Sequence, residues 1–399
     1  MKAAGANRPP VYLDYQATTP CDPRVVAAML PWFTEKFGNP GSITHAYGRE
    51  AAAAVERARA QLASLIGAEP REIVFTSGAT ESNNLALKGA AHFHRAFGKD
   101  HLVALATEHK CVIESCHALE REGFRVTFLP VGRDGLVDLA ALERALEERT
   151  AIVSVMAAHN EIGVLQPLAE IAALTRPRGI LFHSDAAQAV GKVRIDLAAL
   201  GIDLLSISGH KFYGPKGIGA LFVRRRPRAR IAPLIDGGGQ ERGLRSGTLP
   251  TPLCVGLGEA AALAQAEMTA EAERLLGFRR RVLAGIKARV PEAVVNGDLE
   301  RRLPGNLNLS FPGIPATVLM EACPGLALST GSACTSAEIE PSYVLRALGL
   351  EDALAAASVR IGLGRFTTSE EVDFAVDTLA AAARRLAPRG VTSAAAGAT

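Results

Sequence analysis

The sequence lacks a charge excess, a cysteine framework and a long apolar run, and each shortage excludes a class of protein. Lys plus Arg number 44 and Asp plus Glu 41, a formal balance of +3 over 399 residues. Chains that track phosphate backbones or anionic membranes need clustered cations in surplus, so direct binding to nucleic acid or to a membrane is not expected. The local exception is the run Arg224, Arg225, Arg226, Arg228 and Arg230. It reads as a solvated turn after a strand, with a docking patch for an acidic partner or transfer RNA as the alternative. Six cysteines (Cys21, Cys111, Cys116, Cys254, Cys323 and Cys334) are scattered at spacings that suit neither disulfides nor zinc, and no metal site is expected. The start, MKAAGANRPPVYLDY, has no secretory apolar core, and no stretch reaches the ~18 to 20 apolar residues of a membrane span. The expectation is a soluble protein of the reducing cytoplasm.

What is present is a globular composition, 48% hydrophobic and 21% charged, and a length that implies two or three domains at ~150 residues each. From about residue 70 to 225, short β-branched apolar runs alternate with helical patterns, which marks an α/β fold with a mostly parallel sheet. Strands are predicted at 72–76, 102–106, 125–129, 152–156, 180–184, 204–208 and 220–223. Helices are predicted at 50–66, stopped by Gly67, and at 139–148. A long Ala/Leu/Glu/Arg stretch at 253–290 reads as one helix or a pair leading out of the first domain. Beyond it, strands at 306–311 and 359–363 with helices at 315–321, 341–348 and 369–386 form a smaller α+β domain. The large cofactor-binding domain is set at 17–262 and the small one at 263–399, joined by the N-terminal segment 1–16.

Three motifs carry chemistry. Ser206-Ile207-Ser208-Gly209-His210-Lys211 places a lysine after a strand among small residues. It is either a surface lysine or the amine that captures a carbonyl cofactor. Asp185 ends the preceding strand, where it can hold a pyridinium proton or cap a helix. Thr76-Ser77-Gly78-Ala79-Thr80-Glu81-Ser82-Asn83 offers a strand, a small-residue turn and a helix start, a setting suited to a phosphate dianion although it is no P-loop. The glycine runs GPKGIG and Gly237-Gly238-Gly239 read as turns.

These motifs, together with YLDYQATTP, FGNP, TEHK, HNEIG, RSGTLP, STGSACTS and RFTT in that order, resemble the cysteine desulfurases of the class V aminotransferase family, in the subgroup with the longer catalytic-cysteine loop. The resemblance implies the pyridoxal-phosphate-dependent transferase fold (fold type I), pyridoxal 5'-phosphate as cofactor, L-cysteine as substrate and a homodimer. It makes Lys211 the Schiff-base amine and proton carrier, Asp185 the partner of the pyridine nitrogen and Gln188 a hydrogen-bond partner of the ring hydroxyl oxygen. His109 would stack on the ring and move protons, although a satisfied histidine at a helix start is its plain alternative. Ala79, Thr80, Ser208 and His210 would hold the phosphate, with Thr248 reaching in from a second subunit. Asn160 and Arg360 would bind the substrate carboxylate, with Arg365 the rival to Arg360.

Cys334 would take sulfur as a persulfide, releasing alanine, and hand it to an iron–sulfur scaffold or another carrier. A selenocysteine lyase or another class V lyase or aminotransferase is the alternative. Cys21, Cys254 and Cys323 are left to packing, while Cys111 and Cys116 make a poor metal pair because they fall on different faces of a helix. Two departures stand out: His159 replaces an asparagine beside the substrate site, where a tuning effect is expected, and the stretch after Arg385 lacks the longer ending some relatives use to dock a scaffold.

Overall fold

The computed structural model describes residues 9–330 and 341–387. Strands covered on both faces are rich in apolar side chains, and the predicted runs become strands. In chain order they are β1 Val11–Tyr12, β2 Ile73–Thr76, β3 His101–Leu105, β4 Arg125–Leu129, β5 Thr150–Ser154, β6 Leu181–Asp185, β7 Leu204–Ser208, β8 Gly219–Val223, β9 Val294–Val295, β10 Asn306–Ser310, β11 Leu326–Ala327 and β12 Ser358–Gly362. Most boundaries lie within one or two residues of expectation, the usual uncertainty of strand ends.

Strands β2 to β8 form one sheet in the order β2-β8-β7-β6-β5-β3-β4. Only β8 is reversed, pairing antiparallel with both β2 and β7. Its side chains are buried throughout, like those of its parallel neighbours, so hydrophobic pattern does not reveal its direction. The connection does: residues 209–218 are too few for the dozen or more that a parallel crossover needs.

Five helices matter for the site: α1 Ala46–Ile66, α2 Ala79–Arg95, α3 Lys110–Arg121, α4 Thr251–Arg289 and α5 Ser369–Leu386. Gly67 ends α1 in the left-handed conformation, φ 68°, which a residue without Cβ adopts at little cost. The start of α1 lies four residues earlier than predicted because the His45 side chain accepts from the Gly48 amide and caps it. The stretch 253–290 forms a single unbroken helix, not a pair, and the predicted helix 139–148 stops at Ala145 because Leu146 is extended.

Alternating strand residues feed two layers. Val103, Val153, Phe182, Leu205 and Phe222 pack with α1 and the first half of α4. Leu102, Ala104, Ile152, Leu204 and Leu221 pack with α2 and α3. The second half of α4 (Leu275, Val282, Ile286) enters a separate core with β10, β12 and α5. Leu13 joins that core, and β1 pairs with β11, so the N-terminal segment is built into the smaller core.

One buried ion pair ties the loop after β8 to the main sheet. Arg59 on α1 forks onto Glu241 (Nη2 to Oε1 2.7 Å, Nη1 to Oε2 2.8 Å), and Glu241 Oε2 also accepts from the Phe75 amide on β2. Glu241 and Arg242 hold positive φ of 49° and 59°, a strained turn that such contacts over-determine. Arg59→Met leaves the Glu241 carboxylate buried without its cation and should lower stability by about 3–5 kcal/mol. Denaturant unfolding checks this, and a loss below about 1 kcal/mol would count against the fork.

Candidate active site

At the carboxyl ends of β6 and β7 and the start of α2 lies a cavity of about 510 Å³, where open α/β sheets hold ligands. Lys211, Asp185, Gln188, His109, Ala79, Thr80, Ser208, His210, Asn160 and Arg360 all line it. Residues far apart in the chain meet here because most follow the carboxyl ends of strands, while Ala79 and Thr80 open α2 and Arg360 comes from the middle of β12.

Lys211 ends a short turn after β7, and its Nζ donates to the carbonyls of Gln16 (2.9 Å) and Ala17 (2.7 Å). The adjacent His210 is held by Thr18, with Oγ1 3.0 Å from Nδ1. This explains the YLDYQATTP motif, whose backbone and hydroxyls position the lysine turn from nearly two hundred residues away. Burial and the cations Lys211, Lys216 and Lys192 push His210 down to about 4, so it faces the cavity as a neutral ring.

Across the cavity, Asp185 is buried at the end of β6. Its Oδ1 accepts from the Ala187 amide (2.9 Å) and its Oδ2 from Asn83 Nδ2 (2.7 Å). The Asn83 amide also reaches Cys111 Sγ at 3.1 Å. His109 caps α3, its Nδ1 accepting from the Cys111 amide at 3.2 Å, and so is both the helix-start histidine and a cavity residue. Burial lowers its pKa. Its neighbour Glu108 accepts from the Met156 amide, and burial first and then the Asp185 charge push its carboxyl well above the usual carboxylate range.

The phosphate end is the N-terminus of α2. Gly78 caps it at φ 151°, a conformation reserved for glycine, and a Cβ on Gly219 would lie 2.7 Å from the Gly78 Cα and 2.3 Å from the Ile207 carbonyl. The glycine of GPKGIG therefore permits β8 to pass close beside the phosphate turn. The helix start, with Thr80 and Ser208 lining the same cavity, is suited to an anion. An amine, a buried carboxylate opposite it and an anion cradle in one cavity fit pyridoxal phosphate.

At the other end Arg360, on β12, bonds Asp14 Oδ1 (2.7 Å) and the Asn160 carbonyl (2.9 Å). Its Nε is buried with no partner among the described residues, which leaves a donor for a carboxylate. Arg365 instead is consumed by Asp22 and Glu271 at 2.9 Å each and stacks 4.2 Å over Tyr213. Of the two arginines, Arg360 lines the cavity and Arg365 is not among its lining residues. His159 does not offer a titratable ring to the cavity: Nε2 bonds the Thr107 carbonyl, Nδ1 accepts from the Glu161 amide, and burial lowers its pKa to about 4.

Thr248 lies elsewhere, lining a separate cavity with Asn39, Pro40 and Gly41. Cys334 falls outside the described residues. The segments on either side of it are anchored at the site: the Arg360 amide donates to the Ser329 carbonyl at 2.7 Å, Ser342 Oγ donates to Glu161 at 2.9 Å, and Tyr343 Oη donates to the Glu108 carbonyl at 2.6 Å. Sequence reasoning missed Cys111 as a cavity residue; its place one turn into the helix that His109 caps was the available signal. The arginine run is also corrected in part, since Arg224 is no solvated residue but binds the carbonyls of Ile202 and Leu197. Among the described residues no group of three or more acidic, cysteine or histidine side chains could hold a metal, and no helix is long and apolar enough to cross a membrane.

The family described as Aminotransferase class-V matches residues 11–374. A cysteine desulfurase of Pongo abelii is 56% identical over 96% of this chain and 84% of its own length. The cysteine desulfurase IscS of Rickettsia bellii is 55% identical over 94% of this chain and 92% of its own. The solved structure of a NifS-like protein superposes with a TM-score of 0.87 at 37% identity, covering 93% of this chain and 98% of that one.

Proposed function

Because the chain belongs to the class V aminotransferase family and is a pyridoxal-phosphate-dependent cysteine desulfurase, we propose that Lys211, Asp185 and Arg360 run its chemistry and that Cys334 receives the sulfur. The bound cofactor supplies a carbonyl for amine capture and an electron-poor ring that accepts charge from the substrate α-carbon. Lys211 provides the amine and carries the α-proton. Asp185, held by Asn83 and the Ala187 amide, would keep the pyridine nitrogen protonated. Gln188 would donate to the ring oxygen, His109 would pack on the ring, and Ala79, Thr80, Ser208 and His210 would hold the phosphate.

Asn160 and the Arg360 fork orient the L-cysteine carboxylate. The Cys334 thiolate then attacks the substrate sulfur: the carbon–sulfur bond breaks, a sulfur–sulfur bond forms, and the α-amino acid leaves as L-alanine after gaining a proton at the former sulfur-bearing carbon. One cysteine thiol and one free cysteine become one persulfide and one alanine, with no external oxidant. The observation that carries this reading is the position of Arg360. It lines the cavity of Lys211 and its amide donates to the Ser329 carbonyl, five residues before Cys334 in the chain. Mass spectrometry after cysteine turnover should find one added sulfur on the Cys334 peptide; sulfur confined to another cysteine would refute the assignment. Arg360→Lys keeps the charge but loses the fork, and should raise KM for cysteine about 10- to 100-fold. A KM within twofold of native would move carboxylate recognition elsewhere.

A homodimer completes the site in this reading. Leu30, Phe33, Phe37, Ile43 and Tyr47 are large apolar side chains left exposed, which suits a face covered by a second copy. Thr248 sits beside that region with Asn39 to Gly41, where it can serve the partner's phosphate site. The persulfide would pass to an iron–sulfur scaffold or another sulfur carrier in a reducing cytoplasm.

A further inference from the structure

Behind Gln188 stands a second lysine to which the reaction above assigns no role. Lys192 Nζ donates to Gln188 Oε1 at 2.8 Å. Gln188 Nε2 in turn donates to the Gln16 carbonyl at 2.8 Å, the oxygen that also accepts from Lys211 Nζ at 2.9 Å. The two lysines are thus joined through one amide and one carbonyl.

The two ends of a glutamine amide have almost the same shape, and only their partners decide which end faces where. An ammonium group has donors and no acceptor, so at Oε1 it admits only the oxygen end. The nitrogen end is then directed to the Gln16 carbonyl. An NH₂ group carries two protons; one goes to Gln16, and the other remains for an acceptor in the cavity that Gln188 lines. Were the amide reversed, its oxygen would face the Gln16 carbonyl and its nitrogen would face the ammonium, two unfavourable contacts in place of two hydrogen bonds.

Lys192 stands among opposing charges. Desolvation, Lys211 and Arg360 lower its pKa and Glu271 raises it, leaving it at about 7. Its partner Gln188 is buried, and a small cavity of about 20 Å³ beside Lys192 and Glu271 leaves room for little more than one water molecule. Among the described residues, the polar group that this buried amine contacts is the Gln188 amide.

We propose that Lys192 is a positioning residue for the cofactor: it locks the Gln188 amide with Nε2 toward the cavity, so that the ring oxygen of the cofactor meets a donor. This rests on the role given to Gln188 above. Lys192 itself acts through Gln188.

The test uses the full-length protein loaded with pyridoxal phosphate. For Lys192→Met, Lys192→Arg, Gln188→Ala and the Lys192→Met/Gln188→Ala pair, it reads the cofactor dissociation constant and the pH midpoint of the bound cofactor's visible absorption. Lys192→Met should weaken cofactor binding about 10-fold and raise the midpoint by about one unit, since a donor to an anionic oxygen has been lost. Lys192→Arg, which can still donate to Oε1, should return both toward native values. In the Gln188→Ala background, Lys192→Met should add almost nothing, because the residue through which it acts is gone.

A native midpoint and affinity in Lys192→Met would overturn the proposal. So would a shift in the Gln188→Ala background as large as in the native one, which would mean that the lysine charge acts directly. Near-ultraviolet circular dichroism establishes that each variant folds, and Lys192→Ala carries the same expectations should the methionine variant not fold. A Gln188→Ala protein with native affinity and midpoint would instead refute the Gln188 role itself, an outcome distinct from failure at Lys192.

Discussion

Cys334→Ala should lower sulfide release from cysteine by at least about 10³-fold while the cofactor's visible absorption stays in place. The expectation rests on what the other cysteines cannot do. The competing thiol is Cys111, which lines the same cavity, but burial, with the Asp185 charge second, raises its pKa to about 12. At neutral pH such a group is thiolate for only about one part in 10⁵, and the thiolate is the nucleophile. Cys116 and Cys254 are likewise pushed up to about 12 by burial, and burial raises Cys21 and Cys323 as well. None of them offers a replacement nucleophile. Sulfide release and alanine formation, measured together, check the prediction; turnover within tenfold of native would sink it, as would a larger loss in Cys111→Ala than in Cys334→Ala.

Lys211→Ala should abolish turnover, with a loss of at least about 10⁴-fold, because amine capture and proton transfer disappear together. The fold should survive: Lys211 is a turn residue after β7 whose side chain contacts include two backbone carbonyls at the cavity rim. Borohydride should fix the cofactor to the native protein on the Lys211 peptide and leave the variant unlabelled. Two other lysines stand close enough to make this a real test, Lys216 lining the cavity and Lys192 behind Gln188. Fixation on either one in the native protein would transfer the role.

The motifs made much of this site legible because they are local chemistry. A strand that ends in Asp185, a strand that ends in Ser208 before Lys211, and a small-residue turn before α2 each announce themselves in a few consecutive residues. The mostly parallel sheet was legible for the same reason, since its strands are short, predominantly apolar runs separated by helical patterns. Local reading failed where a side chain's role depends on a distant partner. Arg360 and Arg365 are five residues apart with the same chemistry, and only the placement of Asp22, Tyr213 and Glu271 shows that Arg365 is a structural residue. His159 looked titratable beside the substrate site; two backbone groups occupy its nitrogens. Cys111, read from the sequence only as half of a poor metal pair, lines the cavity.

By itself, then, the sequence determined which residue types the reaction has available and which strand ends carry them, because hydrophobic period, turn chemistry and helix starts are properties of short stretches of chain. Tertiary structure alone decided which polar groups are already satisfied and which still face the cavity: the Arg360 Nε, which has no partner among the described residues, the neutral His159, the buried Glu108 and the lysine behind Gln188. Whether a buried charge is matched depends on partners brought together from across the chain by packing, and no local pattern encodes them.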